Sequence, residues 1–384
     1  MDLLERYRGL DSPKVIGLMS GTSVDAIDAA LVEMVEGRPR LIRLSSLEWP
    51  QSVREMLQEI FRGGSSVFEV AKLHWLLGEY FAQAAELVMK EAGVRADLIA
   101  SHGQTIFHLP NEDDLLGHKV RATLQIGEGA VIAERTGCLT VCDFRPQDLA
   151  CGGQGAPLVP FADKILFCDP QCDRIALNIG GMANITWIPK DGRDCLACDT
   201  GPGNAILDRL AQVYLGQSCD LNGDFASTGS VIPELLEELM KHKFLALPMP
   251  KSTGREEFGA PLADSLIERA KDNGWLAQDL MFTLASFTAF SIALHIKRLL
   301  SGRCQVLVGG GGINNRVIME RLRYSLADKQ VEFLSMESIG VPAQAREAMA
   351  FALLGHYTAT GQTSNLPSAT GAKRPCVLGK IVLP

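Results

Sequence analysis

The chain has 384 residues, 47% hydrophobic and 21% charged, with a net charge of −8 at pH 7, and that length is too great for one comfortable core, so two lobes are the default. The acidic balance and the lack of a basic run with interleaved aromatics argue against a nucleic-acid partner. Residues 1–11 mix Asp, Glu and Arg and do not read as a signal peptide. The most apolar window, 281–300, carries Thr283, Ser286, Ser291, His295, Lys297 and Arg298, so it predicts a buried helix and no membrane contact.

In chain order, the first half opens with a predicted β-meander at 15–19, 29–35 and 40–47. A helical pattern follows over 65–92, with Val67, Val70, Leu73, Leu76 and Leu77 on its period. A short apolar run at 97–100 leads into Ser-His-Gly-Gln-Thr, then come a helix at 130–136 and a strand at 139–141. The second half begins again near Arg174. Strands at 175–179 and 185–188 flank a Gly-Gly turn, a third strand ends at Asp199, and a helix covers 205–214. The long helix of the apolar window precedes a strand at 305–308 that runs into four glycines. Hairpin, third strand and helix thus occur twice, which predicts two related α/β lobes facing each other across a cleft. The expected division is residues 1–150 and 151–384, with the C-terminal tail packing back on the first lobe.

Ten cysteines are scattered through the chain. Cys195 and Cys198 form a CxxC pair, and Cys138/Cys142 and Cys168/Cys172 are spaced one residue wider. No histidine pair stands at matching spacing, so structural thiols in a reducing cytoplasm are the expectation.

Four segments concentrate chemistry. Residues 20–28 form a small-residue turn between two strands, with Thr22 and Ser23 as hydroxyl donors and Asp25 and Asp28 as carboxylates suited to hydrated magnesium. Backbone N–H groups in such a turn approach phosphate closely, although an ordinary hairpin uses the same residues. The second segment, 178–184, is a glycine turn that serves either a phosphate clamp or a tight bend. In the third, Asp199 stands at a strand end before Gly201, Pro202, Gly203 and Asn204. Such a carboxylate is placed to act as a base, or else to cap the next helix, and Asn204 is the more natural cap. The fourth, 308–315, lets a flat base or ribose lie on open backbone; it lacks the spacing of the dinucleotide fingerprint. Together they outline a bilobal phosphotransferase.

On these residues the chain resembles the anhydro-N-acetylmuramic acid kinases, within the sugar kinase, actin and Hsp70 superfamily. The match is carried by 17–25 with Asp28, His102-Gly-Gln-Thr, Asp143-Phe-Arg with Asp148, and the Gly-Gly-Gln-Gly-Ala-Pro stretch from Gly152. Further on it is carried by Asn178-Ile-Gly-Gly with Asn184, Asp199-Thr-Gly-Pro-Gly-Asn, Lys251-Ser-Thr-Gly-Arg-Glu, Gly310-Gly-Gly with Asn314, and Glu347-Ala-Met-Ala-Phe-Ala. The resemblance implies two ribonuclease H-like lobes of the actin/hexokinase/Hsp70 type around a nucleotide cleft. It also implies a cytoplasmic enzyme that uses ATP and Mg2+. Water opens the 1,6-anhydro ring of the sugar while O6 takes the γ-phosphoryl group, giving N-acetylmuramic acid 6-phosphate in peptidoglycan recycling.

Carried over by residue, the resemblance makes Asp199 the base on water and Glu347 a second carboxylate, or a plain solvent-facing charge. Gly21, Thr22, Ser23, Val24, Asp25, Ala26, Ile27 and Asp28 would hold the ATP phosphates, with Asp25 reaching Mg2+ through water. Gly180, Gly181, Asn184, Gly310, Gly311, Gly312 and Asn314 would complete the nucleotide site. Gln104, Arg145 and Gln154 would meet the sugar, with an internal ion pair as the alternative for Arg145. One position departs from the family: glycine usually follows the Asp of the first turn, and here it is Ala26. If the backbone there needs φ > 0, the methyl costs about 1–2 kcal/mol. The expected partners are ATP and a small amino sugar, without nucleic acid or membrane, and a homodimer is the assembly to test. A kinase of an ordinary hexosamine and a nucleotide-gated binding protein are the competing readings.

Overall fold

A computed structural model describes residues 2–21, 24–300 and 302–384. The chain forms two compact units, Met1–Leu166 with Gly340–Pro384, and Phe167–Ile339. The first unit therefore continues past residue 150, because the helix Val159–Phe167 is tied into it. Asp163 forms a bidentate ion pair with Arg346, and Phe161 packs edge-on against Tyr357 with ring centroids 5.0 Å apart.

In the first unit, β1 (Lys14–Met19), β2 (Ala26–Val35) and β3 (Arg38–Glu48) form the antiparallel meander. Next to β1 lie β4 (Leu98–Ser101) and β7 (Leu139–Cys142), both parallel, and the terminal strand Lys380–Val382 closes that edge antiparallel to β7. A separate hairpin, β5 (Gln104–Leu115) with β6 (His118–Ile126), follows His102 in a stretch to which the sequence reading assigns no element. The helix Val67–Ala92 begins at a Ser66 capping box and ends at Gly93 with φ +66°. Its Leu73, Leu77, Phe81, Ala85 and Val88 recur at helical spacing and are buried with the meander's inward residues.

The opposite face of β1 is covered by the helix Arg346–Ala359 at van der Waals limits. A Cβ on Gly17 would stand 1.8 Å from the Ala348 carbonyl oxygen and 2.6 Å from the Ala352 nitrogen. Only glycine at 17 lets that helix lie so close to the strand.

The second unit repeats the plan. Strands β8 (Asp173–Ile179), β9 (Met182–Ile188) and β10 (Leu196–Pro202) form an antiparallel meander, and β11 (Cys304–Gly309) and β12 (Val331–Ser335) add parallel strands beside β8. Both sheets run third, second, first, fourth, fifth strand, the first sheet carrying its extra terminal strand.

The helix Ala277–Leu299 is long and apolar enough to cross a membrane, yet 78% of its apolar window is buried in the protein. Its polar residues have internal work. Thr288 Oγ1 donates to the Gly203 carbonyl at 3.3 Å, and Ser291 Oγ donates to the Thr288 carbonyl at 2.9 Å. This is a core helix that holds the bend after β10.

Candidate active site

Strand register in the second unit aligns three of the four chemical segments. Asp199 on β10 pairs with Asn184 on β9, Asn184 pairs with Asn178 on β8, and Asn178 pairs with Gly309 at the end of β11. Directly opposed residues share a sheet face, so a carboxylate, two amides and the start of the glycine run lie in one row. Past the row, the turns are stitched by backbone. The N–H groups of Gly203 and Ala205 donate to the Gly181 carbonyl at 2.9 and 3.1 Å, and that of Asn204 donates to the Gly180 carbonyl at 2.8 Å.

This packing leaves no room for a side chain at Gly203, Gly310 or Gly312. A Cβ on Gly203 would fall 2.2 Å from the Gly180 carbonyl oxygen, and one on Gly312 would fall 2.2 Å from Ile179 Cγ2. Gly310 combines φ +83° with 2.6 Å to Asn178 Oδ1, so it is excluded for any other residue on both counts. Gly311 and Asn314 bound the 3-10 turn that follows.

Asp199 is half-buried, and burial pushes its carboxyl up to about 6. The Thr253 backbone N–H donates to Oδ2 at 2.9 Å, while the Asp199 N–H donates to the Lys251 carbonyl at 2.9 Å. Oδ1 takes no hydrogen bond from the described residues. A β-bulge between Asp199 and Gly201 re-aims the strand at this point. A carboxylate that is held by one oxygen and titrates near 6 suits a general base. Asn204 does occupy the N-cap of the helix Ala205–Leu215, but its side chain makes no capping bond. Its φ and ψ of −89° and −16° are already helical, and Nδ2 turns to the Ile179 carbonyl at 3.4 Å.

In the first unit, Thr22 and Ser23 lie outside the described residues. Gly21 precedes them, Val24 and Ile27 are buried, and Asp25 and Asp28 are the carboxylates of the turn among the described residues. Asp25 is exposed, with the Arg54 guanidinium 3.3 Å away. Asp28 Oδ1 accepts from Ser46 Oγ at 2.5 Å and from Gln344 Nε2 at 3.3 Å. Ala26 is the first residue of β2, opposite Glu48, and the positive φ of the turn, 57°, belongs to Val24. The strain expected at Ala26 is thus carried two residues earlier, by a β-branched side chain.

Glu347 stands in the first turn of the helix Arg346–Ala359, beside the Asp163–Arg346 pair. Its side chain reaches solvent, but surrounding protein raises its carboxyl above the usual range, opposed by Arg346 and Arg145 and assisted by Asp163 and Asp28. Those four groups place it among the charged residues of the first turn and of the Arg145 loop.

Arg145 donates to His102 through Nε at 3.2 Å and Nη2 at 2.9 Å, and to the Gly155 carbonyl through Nη1 at 2.9 Å. His102 Nδ1 lies 2.8 Å from the Gly103 carbonyl and donates to it, which leaves Nε2 as the acceptor for Arg145. Burial drives the imidazole down to about 3, so it stays neutral in that role. Burial also lowers Arg145 to about 10, and among the described residues no carboxylate salt bridge forms at its guanidinium.

Gln154 is exposed on the loop after Gly152. The buried Asp148 organises that loop by accepting from Gly155 N–H, Asn365 Nδ2 and Thr370 Oγ1, each at 2.8 Å. Gln104 differs from both. It is wholly enclosed, and its Oε1 accepts from Ser20 Oγ at 2.7 Å, which in turn accepts from Trp49 Nε1 at 3.0 Å.

Residues 13–384 match the family described as anhydro-N-acetylmuramic acid kinase. The chain belongs to that family. It is 42% identical to the anhydro-N-acetylmuramic acid kinase of Caldanaerobacter subterraneus subsp. tengcongensis, with 100% of both chains covered. It is also 42% identical to that of Bacillus cereus (strain AH820), over 96% of this chain and 99% of the relative. Among solved structures it is similar to the activator of the 2-hydroxyisocaproyl-CoA dehydratase from Clostridium difficile with bound ADPNP. That likeness has 13% identity and a TM-score of 0.43, covering 90% of this chain and 95% of that one. The protein is thus an enzyme, and a kinase in this family transfers a phosphoryl group largely by positioning and charge neutralisation.

The kinase adds supporting residues that sequence reading passed over. Thr253 and Arg255 lie in the quoted stretch after Lys251, to which no role was attached. Thr253 orients Asp199, and Arg255 lies beside Gly181, its Nη2 3.8 Å from where a Cβ there would be. His102 was quoted in a motif too, and only its contact with Arg145 reveals its work.

Proposed function

We propose that this kinase opens the 1,6-anhydro ring of 1,6-anhydro-N-acetylmuramic acid with water and phosphorylates O6 from ATP. The products are N-acetylmuramic acid 6-phosphate and ADP, a step of peptidoglycan recycling in the cytoplasm. The observation that carries this reading is Asp199: half-buried, raised to about 6, and in register with the glycine-lined row. Asp199 Oδ1 takes a proton from water as that water attacks C1, where positive charge builds as in inverting glycoside hydrolysis. The C1–O6 bond breaks, and O6 attacks the γ-phosphorus, so phosphoryl transfer captures the leaving oxygen without a separate acid.

The backbone of Gly180, Gly181 and Gly310–Gly312, with Asn184 and Asn314, forms the nucleotide bed, since polyphosphate and a flat base both need backbone unshielded by side chains. The first turn, from Gly21 to Asp28, meets the phosphates. No three His, Cys, Asp or Glu side chains converge as a metal group among the described residues. The exposed Asp25 fits Mg2+ through water, because that ion keeps several waters and takes few carboxylates. When bound, Mg2+ supplies charge neutralisation of the triphosphate. Arg145, steered by His102, and Gln154 meet the sugar's carboxylate and hydroxyls. The enclosed Gln104 serves by bracing Ser20. Glu347 orients the water or the sugar. All ten cysteines are free thiols, which suits a reducing cytoplasm.

The test is incubation with ATP, Mg2+ and the anhydro sugar in oxygen-18 water. Label at the C1 hydroxyl and phosphate on O6 are expected. Phosphorylation of N-acetylmuramic acid but not of its anhydro form would overturn the reading.

A further inference from the structure

The first unit holds a cavity of about 880 Å³ that none of the residues discussed so far as site candidates lines. Its walls come from the β5–β6 hairpin, the outer side of the helix Phe144–Ala150, and the segment just before the terminal strand. Four cations, Lys119, Arg121, Lys373 and Arg374, face one carboxylate, Glu112. In a chain of net charge −8 that is a local reversal of sign.

The cations are poorly neutralised. Lys373 and Arg374 have no carboxylate partner among the described residues, and Lys119 reaches Asp114 only at 3.6 Å. Arg121 is fixed in place, because Nη1 donates to the Gly152 and Gly153 carbonyls at 2.6 and 3.2 Å and Nη2 to Glu112 at 3.4 Å. Its Nε is buried without an acceptor. The volume falls within the range of small-molecule sites, and Thr123 and Gln147 add neutral hydrogen-bonding groups to the lining.

We propose that this cavity binds a small phosphate ester with more than one negative charge. The two exposed cations, Lys373 and Arg374, gather the charge, and Arg121 gives a fixed planar donor against which phosphate oxygens dock. The affinity falls as ionic strength rises, since the cations are largely exposed.

The experiment uses the full chain, titrated calorimetrically with 3-phosphoglycerate while adenylyl imidodiphosphate saturates the nucleotide site. One 3-phosphoglycerate per chain is expected, weakened about tenfold or more in K373A/R374A and less in K119A. Citrate, a tricarboxylate of similar charge, should bind several times more weakly. Unchanged affinity in the double variant, displacement by the ATP analogue, or citrate binding as well as the phosphate ester would each overturn the proposal. Lys373 and Arg374 lie outside the reacting machinery, so turnover of both variants should match the parent. Because binding is read directly, a failed sugar assay leaves this result standing, and the reverse also holds.

Discussion

The hairpin turn of the first unit and that of the second occupy equivalent places in two sheets of the same strand order, yet they are built on opposite principles. The first presents an exposed Asp25 to solvent and gives its Asp28 to Ser46 and Gln344. The second has two residues, Gly180 and Gly181, whose carbonyls are sewn to Gly203, Asn204 and Ala205. The described residues of the first turn thus present carboxylates, whereas the second presents glycine backbone, with ordinary room for a Cβ at Gly180 and Gly181 and none at the Gly203 packed beneath them. One sheet plan supports both because a hairpin end leaves the turn free of the ladder's demands.

The widest separation of the two units' roles should appear at Asp199. Asp199→Asn is expected to lower kcat by about 10³-fold or more while nucleotide affinity stays within about twofold, read by ADP release and by titration. A near-parental rate would remove Asp199 from the base role. In the parent, kcat/KM should fall tenfold per pH unit below about 6, following the carboxyl's raised value.

Stability carries the opposite sign. Because folding raises this carboxyl above its ordinary value, the folded state holds the proton more tightly. The ionised group then costs stability in full above about pH 6; the cost fades as pH falls from there toward the ordinary carboxylate value and is absent below it. Asp199→Asn should therefore melt higher than the parent at pH 7, by up to about 3 kcal/mol, and show no gain near pH 3.

Glu347→Gln in the first unit should cost about 10- to 100-fold in kcat, less than the loss at Asp199. An equal loss would make the two carboxylates a single acting unit.

Gly203→Ala sharpens the contrast between the turns themselves. Its methyl meets the Gly180 carbonyl at 2.2 Å, so a destabilisation of about 1–3 kcal/mol is expected by denaturant unfolding. The smallest effect belongs to Ala26→Gly. With Ala26 in β2 and away from positive φ, glycine should cost up to about 1 kcal/mol. A gain in stability would mean that the turn needs positive φ at that residue after all.

Much of the fold was legible because its signals are local. Apolar runs at 15–19, 29–35 and 175–179 become β1, β2 and β8 within a few residues, and the period over 65–92 becomes the helix Val67–Ala92. The polar residues within 281–300 marked a core helix correctly, and their burial follows from serving the bend after β10. The β5–β6 hairpin was only half legible. In β6, Val120, Ala122, Leu124 and Ile126 alternate with Arg121, Thr123 and Gln125, whereas Pro110 and the polar run 111–114 break any period in β5.

The sequence by itself determined the alternation of strands and helices, the glycine stretches at 178–184, 199–204 and 309–312, and Asp199 as the residue to watch. Each is a property of a few neighbouring residues. Only the tertiary structure decided that Thr253, 54 positions on, holds Asp199 by a backbone N–H, and that Asp163 pairs with Arg346 across 183 positions. It likewise decided that Gly17 lies beneath the helix Arg346–Ala359, and that Val24 rather than Ala26 takes the positive φ. Desolvation, ion pairing and close approach depend on which atoms meet through space, and chain spacing does not encode those distances.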